Sequence, residues 1–339
     1  MHRHYQATAD LADFVAALPK TETHLHLEGS MSFEQLRQSD PGKFPESPPF
    51  WDPGYRYSSF DEFQAVFDDW IVPYHTSIDR YQETARHVFA QCREQGCRYV
   101  ETSFHLPAVE WIDGDGVDLI AAMSEVIPEG MEVRFFGGMM HNDYTPNREL
   151  LESALRWDGL AGFDLHGHET WPVEEAIPGF WARARSHGKC TKAHAGEFMP
   201  ASFVDWAIEA LGVSRIEHGV RAVESPAVVE KIVERGIVLD VCPISNLKLG
   251  VEGIGVMAEH PIRALVDAGV RVTLNTDDTF MFGNTLSEEY YALSQELAFT
   301  KQELIQVARN GFEAALVDES KRRKLLAELS EFEQRVALD

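Results

Sequence analysis

A chain of 339 residues has room for one large domain or two ordinary ones, and with 44% apolar residues it can bury a core that a disordered chain of equal charge content could not. Its 55 acidic side chains against 30 Lys and Arg leave a formal charge of −25, which sets it against nucleic acid and anionic membrane surfaces and leaves a neutral small molecule open as a partner. Four dispersed cysteines (Cys92, Cys97, Cys190 and Cys242), no apolar signal-peptide core and no membrane-length apolar run predict a reduced, cytoplasmic protein.

The amino terminus carries His2 and His4, a pair read as part of an unanchored tail. Beyond it, runs rich in apolar and β-branched residues fall at 22–27, 99–104, 133–139, 161–165, 190–193, 215–217, 237–241 and 270–275. Helical patterns separate them, which predicts parallel β/α units. The helical stretch 228–235 stops at Gly236, and the stretch 261–268 begins at Pro261 and leaves at Gly269. Eight such units predict an α/β fold, the TIM (β/α)8 barrel. The surplus over the about 250 residues of a minimal barrel falls mainly between the first and second strands. This segment, 30–96, reads as a helical cap insertion after the first strand, over the barrel mouth. It opens with Pro41, Pro45, Pro48, Pro49 and Pro53, and continues with Phe60, Phe63, Phe67 and Trp70 at helical spacing, which reads as packing more than substrate contact. No composition shift marks a linker, so 1–339 reads as a single domain.

Chemistry concentrates at the predicted strand ends. In Thr23-His24-Leu25-His26-Leu27 strand periodicity sends both imidazoles to one face, and paired neutral imidazoles suit a zinc ion. His166 and His168 share the spacing after the fourth strand, and spacing alone does not choose between the pairs. Further candidates close later strands: His194-Ala195-Gly196-Glu197, Glu217-His218-Gly219 and Asn275-Thr276-Asp277-Asp278. In a barrel these ends converge on one face, where imidazoles and a carboxylate can hold a metal with one position open to water.

Taken with Pro19-Lys20-Thr21-Glu22 before the first His pair, Glu28-Gly29-Ser30 after it, Asp164-Leu165-His166-Gly167, Arg215-Ile216-Glu217-His218-Gly219 and Cys242-Pro243-Ile244-Ser245-Asn246, the order of these motifs resembles the adenosine/adenine deaminase family of the amidohydrolase superfamily over nearly the whole chain. The resemblance implies one Zn2+, or another divalent transition metal, on His24, His26, His194 and Asp277. It implies catalytic roles for Glu197 as the acid at a ring nitrogen, and for His218 and Asp277 at the attacking water. It also implies substrate contacts from Glu28, Gly167 and Asp278. No lysine stands at the end of the fourth strand to bridge a second metal, and Lys192, two residues before His194, has no such role in the pattern. The implied reaction is hydrolytic deamination of a 6-aminopurine nucleoside, adenosine or a close relative, with release of ammonia. Adenine as free base comes second, and amide or ester hydrolysis by a single zinc ion is the reading from a different class. Glu28 matches a position where adenosine deaminases usually carry Asp and adenine deaminases commonly Glu, while His166, His168 and Thr279 depart from the family pattern. The sequence leaves the oligomeric state open.

Overall fold

In the computed structural model residues 4–112 and 114–336 are described, so His2 lies outside the described residues. Eight parallel strands follow one another around a barrel in sequence order: β1 (Lys20–Glu22), β2 (Cys97–His105), β3 (Glu132–Met139), β4 (Leu160–Leu165), β5 (Cys190–Ala195), β6 (Arg215–His218), β7 (Val238–Val241) and β8 (Arg271–Leu274). Single bridges from Leu25 to Asp277 and from His26 to Ser103 carry the ladder past β1 and close the ring. This is the expected TIM (β/α)8 barrel.

The strands alternate in sequence because their two faces meet different surroundings. Phe163, Ile216, Leu239 and Val272 pack outward with Phe180, Trp181, Ile232 and Leu265 of the surrounding helices in one apolar core. The helix Pro226–Arg235 starts on a proline and stops at Gly236, whose φ of 63° is a left-handed conformation that glycine adopts without strain. The interior is charged as well as apolar. Lys192 on β5 lies 2.5 Å from Glu101 on β2 and donates to the Thr23 carbonyl oxygen at 2.6 Å. The Arg215 guanidinium reaches Asp240 at 2.7 Å and Glu101 at 3.3 Å. Burial alone would raise the Glu101 carboxyl, but Arg215 and Lys192 outweigh it and hold it below its ordinary value.

Between β1 and β2 the chain forms the helices Phe33–Ser39, Phe60–Val66 and Ile78–Glu94, with single turns at Pro49–Trp51 and Phe67–Ile71. Met31, Phe33, Phe50, Tyr57, Phe63 and Ile71 gather with Leu249 and Phe280–Phe282 into a second apolar cluster, separate from the barrel core. Two local expectations change. Regular pairing of the first strand ends at Glu22 rather than Leu27, because the Thr23 N–H donates to the Asn275 side chain at 2.7 Å instead of to a neighbouring strand. The terminus is anchored at His4, whose N–H donates to Glu288 at 2.5 Å and whose Nε2 lies 2.9 Å from the Phe282 carbonyl oxygen. All four cysteines are free thiols, and no helix among the described residues is long and apolar enough to cross a membrane.

Replacing Arg215 with Met removes one of the two buried cations that Glu101 and Asp240 share and leaves them to Lys192, which is 2.5 Å from Glu101 but 3.9 Å from Asp240. The expected loss is about 3–5 kcal/mol of unfolding free energy, read by denaturant titration.

Candidate active site

The strand ends bring the predicted donors to one place. His24 and His26 lie on the same side of the segment that continues β1, and their Nε2 atoms stand 3.4 and 3.3 Å from Asp277 Oδ1. Their other ring nitrogens are occupied: His24 Nδ1–H donates to the Asp240 carbonyl oxygen at 3.0 Å, and His26 Nδ1 meets Ser103 Oγ at 2.9 Å. Such partners fix ring orientation and leave Nε2 for a metal. The His194 ring lies 4.8 Å from His24 and 5.1 Å from His26 between centroids. His24, His26 and Asp277 form one compact donor group, and His24, His194 and His218 form another.

Unused lone pairs mark the same spot. His24 Nε2, His194 Nε2, both Asp164 oxygens and Glu217 Oε2 are buried without hydrogen-bond partners. His194 Nε2 is 2.8 Å from Glu217 Oε2, yet the two are not aligned as a hydrogen bond. Burying that many open donors and acceptors together is costly unless something binds them. Neutral imidazoles with carboxylates are the donor set of a divalent transition metal, so these residues fit such an ion. Asp164 and Glu217 carry no role in the sequence reading. Their proximity to His194 comes from the strand register, in which Glu217 pairs with His194 and Asp164 with Lys192, and this register is invisible without the fold.

Beside these candidate metal donors the Glu197 carboxyl is held by a chain of oriented groups. The Ile262 N–H donates to His260 Nδ1 at 3.2 Å, which leaves the proton of the neutral ring on Nε2, facing Asn246 Oδ1 at 3.2 Å. The Asn246 amide is thereby turned so that Nδ2 donates to Glu197 Oε1 at 2.9 Å and to His218 Nδ1 at 3.1 Å. Glu169 accepts the backbone N–H groups of Glu197, Phe198 and Met199 and fixes the turn that carries Glu197. Burial, with the charges of Asp277 and Glu169, pushes the Glu197 carboxyl well above its ordinary value. Burial and the Asp277 charge do the same to Asp278. Asp277 goes the other way, because His24 and His26 outweigh its burial. Burial and His24 hold His218 well below the usual histidine range, so its ring is neutral.

These groups open on a cavity of about 210 Å³, small beside the roughly 300–1,000 Å³ of drug-sized ligand sites. Glu28, Gly167, Asp278, His166 and His105 line it, together with Phe60, Phe63 and Phe67. The three phenylalanines therefore face the cavity as well as packing, which helical spacing does not reveal; Trp70 packs with Phe33, Phe44, Phe50 and Phe280. His168 stacks on Trp171 at an interplanar angle of 14° and meets Phe60 at a tilt of 53°. Glu28 Oε1 accepts from the Tyr81 hydroxyl and the His105 N–H, both at 2.9 Å. Asp278 Oδ1 is buried without a partner, and a Cβ at Gly29 would fall 1.5 Å from it, so only glycine lets that carboxyl lie where it does. His218 and Asp277, which end β6 and follow β8, hold φ values of 64° and 67°, left-handed conformations that non-glycine residues adopt at a cost of order 1–3 kcal/mol.

The sequence matches the adenosine deaminase family model over residues 19–332. It is 30% identical over 341 residues to the adenine deaminase of Hahella chejuensis, covering 96% of this chain and 99% of that protein. Among solved structures it resembles an adenine deaminase from Arthrobacter aurescens, with 24% identity, TM-score 0.81, and 94% and 99% of the two chains covered. It also resembles an amidohydrolase from Burkholderia ambifaria with bound Zn, with 24% identity, TM-score 0.83, and 99% and 97% covered.

Burial lowers His260 to about 3, against an unfolded value of about 6.5. Between those values the unfolded chain binds the proton and the folded one does not, so His260 favours the fold less and less as pH falls from about 6.5 toward 3. His260→Gln, which cannot titrate, is expected to flatten the acid side of the stability profile by up to about 1.4 kcal/mol per pH unit. Denaturant melts of both proteins across that window check it; parallel profiles would show that His260 titrates normally.

Proposed function

Because the chain belongs to the adenosine deaminase family and is therefore a hydrolytic deaminase, we propose that it removes the exocyclic amine of adenine as free base, with zinc at the His24, His26, His194 and Asp277 donors. The free base, placed second to a nucleoside by the sequence, is the better reading. The observation that carries it is Glu28: its carboxylate is held from two sides at Oε1, beside a cavity of small volume. Oε2 can then accept the imidazole N–H of a free base, a donor that a nucleoside lacks. The name of the Hahella chejuensis relative supports the same substrate.

When bound, the zinc ion supplies Lewis-acid activation of water. The chain's own residues do the rest. Glu197, whose carboxyl is pushed well above its ordinary value, donates a proton to the ring nitrogen next to the amine-bearing carbon, where electron density collects as water adds. Asn246 holds the other Glu197 oxygen, so the acid keeps one direction. His218 receives the Asn246 amide on Nδ1 and carries its proton on Nε2, which orients the water, while the Asp277 carboxylate takes the water's proton. Asp278, protonated and without a partner at Oδ1, donates to the purine N7, and the Gly167 backbone lies along N3. Asp277 returns the water's proton to the exocyclic amine as the carbon–nitrogen bond breaks, leaving the 6-oxo base and ammonia. Segment 30–96 acts as the cap over the bound base, with Phe60, Phe63 and Phe67 on its inner wall.

Ammonia release by zinc-loaded enzyme should be at least tenfold more efficient, as kcat/KM, on adenine than on adenosine; the reverse order would overturn the free-base reading. Glu197→Gln should keep its zinc and lose at least about a hundredfold in kcat, within the range of general acid catalysis. His194→Ala should bind less zinc by elemental analysis, and full stoichiometry would remove His194 from the ligand set.

A further inference from the structure

We infer that His166, locked between His26 and His105, is a specificity-determining residue that closes the cavity to substituents on the imidazole edge of a 6-aminopurine. The inference rests on the free-base reading above. His166 comes directly after β4 and before Gly167, whose φ of 90° turns the chain along the cavity. Its ring lies 5.5 Å from His26 at an interplanar angle of 29° and 5.6 Å from His105 at 27°, in one column of three imidazoles. His166 Nε2 is 3.3 Å from His105 Nδ1, which ties the middle ring of the column to one of its neighbours. On the β3 side the ring lies against Gly138, where a Cβ would come within 2.8 Å of His166 Cε1. The imidazole is thus backed by a bare strand and flanked by two rings, with the cavity on its open side.

His105 extends this wall, because its backbone N–H is one of the two donors that hold Glu28. A purine with its six-membered ring at Glu197 and N7 at Asp278 turns N3 toward Gly167 and N9 toward the wall made by His166, His105 and Glu28. A free base ends there with an N–H. A ribose on N9 needs the volume that the imidazole column fills, and a rigid column cannot yield it by a rotamer change.

The test is the ratio of kcat/KM for adenosine to that for adenine, measured on zinc-loaded wild type, His166→Ala and His105→Ala with metal content determined for each. His166→Ala should raise the ratio at least tenfold, and His105→Ala, which frees the ring while keeping the backbone N–H to Glu28, should raise it in the same direction. An unchanged ratio in both variants at full zinc content overturns the inference while the free-base reading stands. A wild type that prefers adenosine overturns both. Should His166→Ala fold poorly, His166→Asn replaces it, and competitive inhibition by inosine relative to hypoxanthine reads the same discrimination without turnover. Tighter relative binding of inosine supports the inference, and no change overturns it.

Discussion

The buried pairing of Lys192 and Arg215 with Glu101 and Asp240 is the constraint on which the site depends. Lys192 on β5 ties Glu101 on β2 to the carbonyl of Thr23, the residue before the candidate metal donor His24, and Arg215 on β6 ties Glu101 to Asp240 on β7. Asp240 in turn offers its backbone oxygen to His24. Charges this deep must be satisfied by one another, since desolvation costs several kcal/mol per ion. Strands distant in sequence are thereby held in one register, and the donors above them are held with it. A purely aliphatic interior would fill the barrel equally well but would not specify the rotation of each strand end so narrowly.

Above that layer, like groups are made to do unlike work. Glu197 and Asp278 are pushed well above the ordinary carboxyl value while Asp277 and Glu217 are held well below it, although all four are buried carboxyls within one site. The difference is in the neighbours. Asp277 faces His24 and His26, and Glu217 faces His24 and Lys192, whereas Glu197 and Asp278 face the charge of Asp277. Separating pKa values by surroundings lets one pocket contain both acids and anions at a single pH.

Much of this is legible in the chain. Eight short β-rich runs between helical patterns foretell the barrel, and the His24/His26 spacing at a strand end foretells a donor face, because both rest on periodicities of two and 3.6 residues. What resists reading is non-local. Nothing near Lys192 in sequence reveals that its partners are Glu101 and the Thr23 carbonyl, and nothing near His260 reveals that it sets the amide of Asn246. The alternating pattern at 22–27 marks a strand, yet Asn275, some 250 residues away, takes the Thr23 N–H and ends the regular ladder early. Phe60, Phe63 and Phe67 show a helical stripe, but a stripe alone does not tell which of its members faces a cavity.

The left-handed backbone at His218 and Asp277 has an evolutionary corollary. Each position would be more comfortable as glycine, and Asp277 also as asparagine, so the roles proposed for the two side chains would hold them against a steady pull of stability. Were selection for turnover to lapse in some descendant of this chain, these two sites should be among the first to relax, and the barrel should grow firmer as its reaction is lost.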